Sequence, residues 1–361
     1  MKGLAEKVLY WVQLMRLIGW LTNSVNNDYE KRILARHILI YLDTFLKLAP
    51  RLKNQIKVKF LSNVNIVTQK LNQLSTDYES FYSRIRDKIV AHRQDLPLAL
   101  RIEAWNEIDD TTINVFVNEV SDIYAELSKL CSIVKPFSDS NDIKNHKLNQ
   151  RLAIKASQHN INVPQVAVDN LAMSRPNTTI SIPINEMQKR GFQIGSVLNT
   201  ISFLRNLYFT LSLGKDTQRL GKAMLIIDVF NLVENLYPYK PANINYKIKS
   251  LLEICQEDKS TGYLILQNSY DNRDKATEND FREVRNKIAA HVDSEQSLAD
   301  LLALLDSKDI NELIDNIFTP SIEAFKQWCH SDIARSIFLI DCTSAKNITE
   351  VEDLGGFKSY F

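Results

Sequence analysis

Glycine and proline are scarce in this chain, with nine of each in 361 residues. That scarcity disfavours a turn-rich β architecture and favours long helices. Cysteine is scarcer still: Cys131, Cys255, Cys329 and Cys342 make up the whole complement, and no two form a CxxC pair. Four scattered cysteines in a chain this long read as reduced thiols of a cytoplasmic protein, not as a disulfide scaffold. Cys329-His330 followed by Cys342 matches no zinc-finger spacing, so no metal site is expected. A dominant charge is missing too: the formal net charge is +1, with no long acidic or basic block. Binding of nucleic acid through bulk charge is excluded, and only a local basic patch remains possible. Long apolar runs are also absent. The stretch from Leu9 to Leu21 is interrupted by Gln13 and Arg16, is too short to span a bilayer, and reads as an amphipathic core helix. No membrane partner is expected. There is no Walker or Rossmann glycine loop, no GxSxG, no HExxH and no carboxylate cluster suited to two-metal chemistry. No cofactor is expected.

What is present is mostly helix. Apolar periodicity predicts helices over about 3–22, 28–48, 51–73, 76–94 and 110–133, with Pro50 marking a break. A polar stretch, 136–150, reads as a linker or surface loop. Within 151–190, Thr178-Thr179-Ile180-Ser181-Ile182-Pro183-Ile184 alternates like a short strand or extended arm, and Pro183 places it at an edge. Helices resume over about 194–213, 217–237, 242–256, 276–292 and 308–330. The expected fold class is all-α: two tandem antiparallel helical bundles, with a short extended or β arm between them. The expected division is 1–135 for the first bundle, 136–191 for the linker and inserted segment, 192–335 for the second bundle and 336–361 for a tail.

The division rests on a phrase that occurs twice. Arg86-Asp87-Lys88-Ile89-Val90-Ala91-His92 returns as Arg285-Asn286-Lys287-Ile288-Ala289-Ala290-His291, offset by 199 residues. Tyr82 and Ile85 match Phe281 and Val284 at the same offset. Upstream, Ile40-Tyr41-Leu42-Asp43-Thr44-Phe45 resembles Leu225-Ile226-Ile227-Asp228-Val229-Phe230, and downstream Ile113-Asn114 resembles Ile310-Asn311. Those flanking offsets drift to 185 and 197, so loops differ between the copies. The pattern is a domain duplication, not a short-period solenoid.

On an ideal α-helix, residues six apart point about 120° apart and lie about 9 Å apart along the axis. Arginine and histidine of one copy therefore do not stack on one face, and each copy reads as half of a site. Lys88 and His92 share a face, as do Lys287 and His291. Two such helices packed together bring two histidines and two arginines into one cleft. Cleaving RNA without a metal needs a base for the 2′-hydroxyl, an acid for the leaving 5′-oxygen and positive charge on the phosphorane. Histidine suits the proton transfers and arginine the charge.

The phrase resembles the Arg-x4-6-His signature of HEPN domains, in which a polar residue follows the arginine. The abortive-infection type is nearest in flavour. The resemblance covers about 1–135 and 192–335. It implies an intramolecular pseudo-dimer whose two motifs form a composite, metal-independent ribonuclease site that leaves a 2′,3′-cyclic phosphate. By that resemblance Arg86, Asp87 and His92 pair with Arg285, Asn286 and His291 as catalytic residues, and Lys88 and Lys287 add substrate phosphate contacts. The implied role is a defence or toxin effector acting on cellular RNA. A regulatory protein or antitoxin and a homo-oligomer are the other expected partners. Family members that only bind partners give the alternative: a non-catalytic interaction or sensor subunit. The plainest reading of either motif copy is an amphipathic helix with capping or surface Arg and His. His37, beside Arg36 in an apolar helix, and His146 and His159 in the linker region read as structural or solvent-exposed. Trp11, Trp20, Trp105 and Trp328 read as packing residues.

Overall fold

The structure, a computed structural model, describes residues 2–25, 28–55, 61–82, 110–130, 186–210, 215–239, 249–289 and 296–331. Nearly all of them are helical, and no strand occurs among the described residues. The expected arm at 178–184 and the tail lie outside them. The elements in chain order are α1 (Lys2–Ser24), α2 (Asp28–Gln55), α3 (Leu61–Asp77) and α4 (Asp110–Leu130), then α5 (Glu186–Thr210) and α6 (Lys215–Leu236). Shorter helices follow: α7 (Leu251–Glu257), α8 (Tyr263–Asp271), α9 (Lys275–Val284), α10 (Leu298–Asp306), α11 (Ile310–Leu313) and α12 (Thr319–Cys329). Among the described residues three π turns continue helices: Tyr78–Tyr82 after α3, Arg285–Ala289 after α9 and Ile314–Phe318 after α11.

Each half opens with a pair of long helices packed on one another, α1 with α2 and α5 with α6. The second member of each pair is the central one. In α2 every residue from Ile33 to Leu42 is buried, and in α6 so is every residue from Ala223 to Val233. A helix apolar on all sides is stable only when neighbours enclose it. Around α2 these are α1, α3, α4 and α5; around α6 they are α5, α7, α10, α12 and the π turns after α9 and α11. The buried side chains of both halves form one continuous cluster. No helix among the described residues is long and apolar enough to cross a membrane.

Several expected boundaries are corrected. Pro50 does not end a helix; it lies inside α2, which runs on to Gln55. Leu48, Ala49 and Leu52 are all buried around it, so burial outweighs the backbone hydrogen bond that proline lacks. Of the helix expected over 242–256, residues 242–248 lie outside the described ones, and the described part opens at Leu251, where Ser250 and Glu253 form a capping box. The helix expected from 194 begins at Glu186. Helices α8 and α10 were not anticipated.

Candidate functional site

Only the second copy of the repeated phrase falls partly among the described residues. Arg86, Asp87, Lys88, His92 and His291 lie outside them. Helix α9 is started by Asp274, whose carboxylate accepts from the backbone N–H groups of Ala276 and Thr277 at 3.1 and 3.0 Å. Its apolar stripe, Phe281, Val284 and Ile288, is buried. Beyond Val284 the chain widens into the π turn that carries Arg285, Asn286 and Lys287. The angular spacing of an α-helix does not hold there, and π turns are found preferentially at functional positions. The π turn after α3 ends four residues before Arg86.

Asn286 is exposed. Lys287 donates to Glu283 on its own helix at 2.6 Å. Arg285 turns inward, with its side chain 12% exposed, and meets Glu234 of α6: Nη1 lies 3.4 Å from Oε1 and Nη2 3.4 Å from Oε2. Its Nε is buried and has no hydrogen-bond partner. The same Glu234 accepts from Arg282 at 2.9 Å, and Arg282 also reaches Glu278 at 3.0 Å. Glu278 in turn is 3.3 Å from Arg273. The guanidinium of Arg282 lies over Tyr239 and Phe230, at 4.2 and 4.7 Å from the ring centres, and that of Arg273 over Tyr270 at 4.1 Å. Burial works against the charge on Arg282, but Glu234 and Glu278 outweigh it and hold its pKa above the usual arginine value. The result is an alternating ladder, Arg273, Glu278, Arg282, Glu234, Arg285, with one more cation than anion and its longest contacts at the Arg285 end.

A second polar cluster was not anticipated as a unit. On α6, Asp228 is fully buried and accepts from Arg36 of α2 at 2.5 Å and from Asn231 at 2.8 Å. His37 Nε2 lies 3.2 Å from the same carboxylate. A carboxylate only accepts, so that nitrogen carries the proton, and the 3.4 Å approach of Arg36 to it is a contact between two donors. Burial alone would raise the Asp228 carboxyl; the charge of Arg36 and the bonds from His37 and Asn231 reverse this and hold it well below the usual carboxylate range. Burial is the largest influence on His37 and lowers its pKa, against the pull of Asp228. The cluster continues along α6: Asn235 donates to the Asn231 carbonyl at 3.1 Å, and Arg190 of α5 donates to Asn235 at 3.0 Å and to Gln193 at 2.8 Å. The sequence signal was a single carboxylate inside one apolar run and an Arg-His pair inside another.

Trp11 and Trp328 are core residues, as expected, and Trp20 packs at the edge of the core. Cys255 and Cys329 are buried free thiols, and burial raises the pKa of each. No grouping of three or more His, Cys, Asp or Glu suited to a metal ion occurs among the described residues. Comparison with protein-family models, with curated proteins and with solved structures finds no match to this chain.

Proposed function

We propose that this chain is a metal-independent endoribonuclease whose site is composed from its two Arg-x5-His phrases, acting as a defence or toxin effector on cellular RNA. The observation that carries the reading is Arg285. It belongs to the duplicated phrase, sits on a π turn, and is held inward by Glu234 with a buried donor still open. A buried guanidinium donor without a partner costs about 1–3 kcal/mol, and a guanidinium keeps the fixed positive charge that a phosphate requires.

In the proposed reaction one of His92 and His291 takes the proton of the RNA 2′-hydroxyl. The resulting oxygen attacks the adjacent phosphorus, the bond to the 5′-oxygen breaks, and the other histidine protonates that oxygen. The products are a 2′,3′-cyclic phosphate and a 5′-hydroxyl. Arg86 and Arg285 stabilise the charge on the phosphorane. Asp87 and Asn286 flank the arginines, and Lys88 and Lys287 attract the backbone. Lys287 does so as a partly neutralised charge, since Glu283 already engages it.

Incubating the purified chain with total RNA in EDTA tests this. Cleavage is expected, with His92→Ala and His291→Ala each lowering the rate by about 10²–10⁴-fold. A second reading, a non-catalytic interaction or sensor subunit for a protein or RNA partner, is favoured by the ion pairs that already occupy Arg285 and Lys287. Intact RNA after incubation with folded protein selects that reading.

A further inference from the structure

We propose that Glu234 is the positioning residue of the second motif, fixing the direction of Arg285 from a neighbouring helix. The inference rests on the ribonuclease reading for what Arg285 does, but not for how Arg285 is held.

The carboxylate is itself immobilised. Its Oε1 accepts from Arg282 at 2.9 Å. Arg282 is pinned by Glu278 at 3.0 Å and by the Tyr239 and Phe230 rings. Glu234 thus forms a fixed point on α6 before Arg285 is considered. Arg285 then meets it end-on, one terminal nitrogen per oxygen, both at 3.4 Å. Each contact alone is longer than an ideal hydrogen bond, but two from one planar fork to one carboxylate restrict its rotation. Together they set orientation. A π turn alters the direction in which its residues project, so the helix alone does not aim Arg285; a carboxylate on a different element does. End-on engagement uses Nη1 and Nη2 and leaves the Nε edge uncommitted, which matches the unpartnered Nε. Three arginines against two carboxylates leave one positive charge unmatched within the ladder, and Arg285 is one of its two ends.

The two contacts of Glu234 predict different consequences, and this makes the inference testable. If Glu234 acts through Arg285, its removal matters only while Arg285 is present. Steady-state cleavage of an RNA oligonucleotide in EDTA is compared for the wild-type chain, Glu234→Gln, Arg285→Ala and the double variant. Glu234→Gln is expected to lose about ten- to a hundredfold in kcat with KM nearly unchanged, and to add no further loss to Arg285→Ala. An equal loss in both backgrounds, or no loss at all, overturns the proposal. If Glu234→Gln does not fold, Glu234→Asp, which keeps the charge, is read in the same cycle with a smaller kcat loss and the same cancellation. A readout independent of activity is the Nε–Hε resonance of Arg285, assigned by its disappearance in Arg285→Lys. Hindered side-chain rotation in the wild-type chain and averaging in the Glu234 variant support the proposal; identical signals overturn it. If the wild-type chain cleaves nothing, the ribonuclease reading fails, and the resonance still decides whether Glu234 positions Arg285.

Discussion

Asp228 is a fully buried carboxylate at the centre of a polar cluster. A carboxylate with no access to water persists in its charged form only when opposite charge and donors surround it. Arg36, His37 and Asn231 supply them, and the first two come from a helix about 190 residues away in sequence. Removing one partner leaves the other charge buried. Asp228→Ala is therefore expected to cost about 3–5 kcal/mol in urea unfolding, because Arg36 is stranded. The double variant Asp228→Leu with Arg36→Met removes both charges and is expected to lie much closer to the wild-type chain. The pair also sets an acid dependence. The folded pKa of His37 lies below its ordinary value of about 6.5, so the unfolded chain binds the extra proton first. Its contribution is complete above about pH 6.5 and is lost as pH falls toward the folded value. Asp228, also depressed, contributes fully above about pH 3.9 and is lost below it. Both act in one direction, so unfolding free energy is expected to fall as pH drops from 7 to 5. In His37→Gln that slope is expected to flatten, while the loss below about pH 4 remains. Slopes in His37→Gln equal to those of the wild-type chain contradict this assignment.

The elements were legible to the extent that burial follows periodicity. The limits of α1 and α4, the start of α2 and the end of α12 fall within a few residues of what the apolar pattern predicts. The failures have physical causes. Pro50 suggested a break, but the apolar face of α2 continues past it through Leu52. Helix α10 announces itself only by Ser297, which caps Asp300. Helix α8 starts at Gly262 with no side-chain cap at all. That glycine has a packing reason invisible in sequence: a Cβ there would lie 2.3 Å from Cδ1 of Trp328 in α12. Trp328 is fully buried and stacks on Phe325, so it has little room to retreat. Gly262→Ala is expected to cost about 1–3 kcal/mol by forcing α8 and α12 apart, read as a lowered Tm. An unchanged Tm contradicts the close approach. The candidate site was legible by half for the same kind of reason. Arg285 could be chosen from the repeated phrase, whereas its partner Glu234 lies 51 residues away and outside the repeated segments. Contacts between elements follow from topology, and a local pattern does not contain them.

At the scale of the whole molecule, the repeated phrase and the core point in different directions. A duplicated chain can consist of two bundles that fold and unfold separately. Here the buried residues of both halves join in one cluster, and the Arg36–Asp228 pair bridges the two central helices within it. Separation of the halves would leave a carboxylate on one side and a guanidinium on the other, both taken from deep burial. The pair is also asymmetric. Asp43, the repeat counterpart of Asp228, bonds instead to Lys47 one turn along its own helix at 2.7 Å. The position matching Arg36 at the 185-residue offset is Gly221, which packs closely on Tyr208 of α5. One carboxylate of the second half is thus matched by one cation of the first, and exchanging the halves would not preserve the match. Such a chain is expected to unfold in calorimetry as one cooperative transition, with van't Hoff and calorimetric enthalpies equal. Asp228→Ala should move that transition as a whole, because the charge it strands lies in the opposite half. Two resolved transitions, or a shift confined to the part of the signal that comes from the second half, would show instead that the halves of the chain are coupled too weakly for this pair to hold them together.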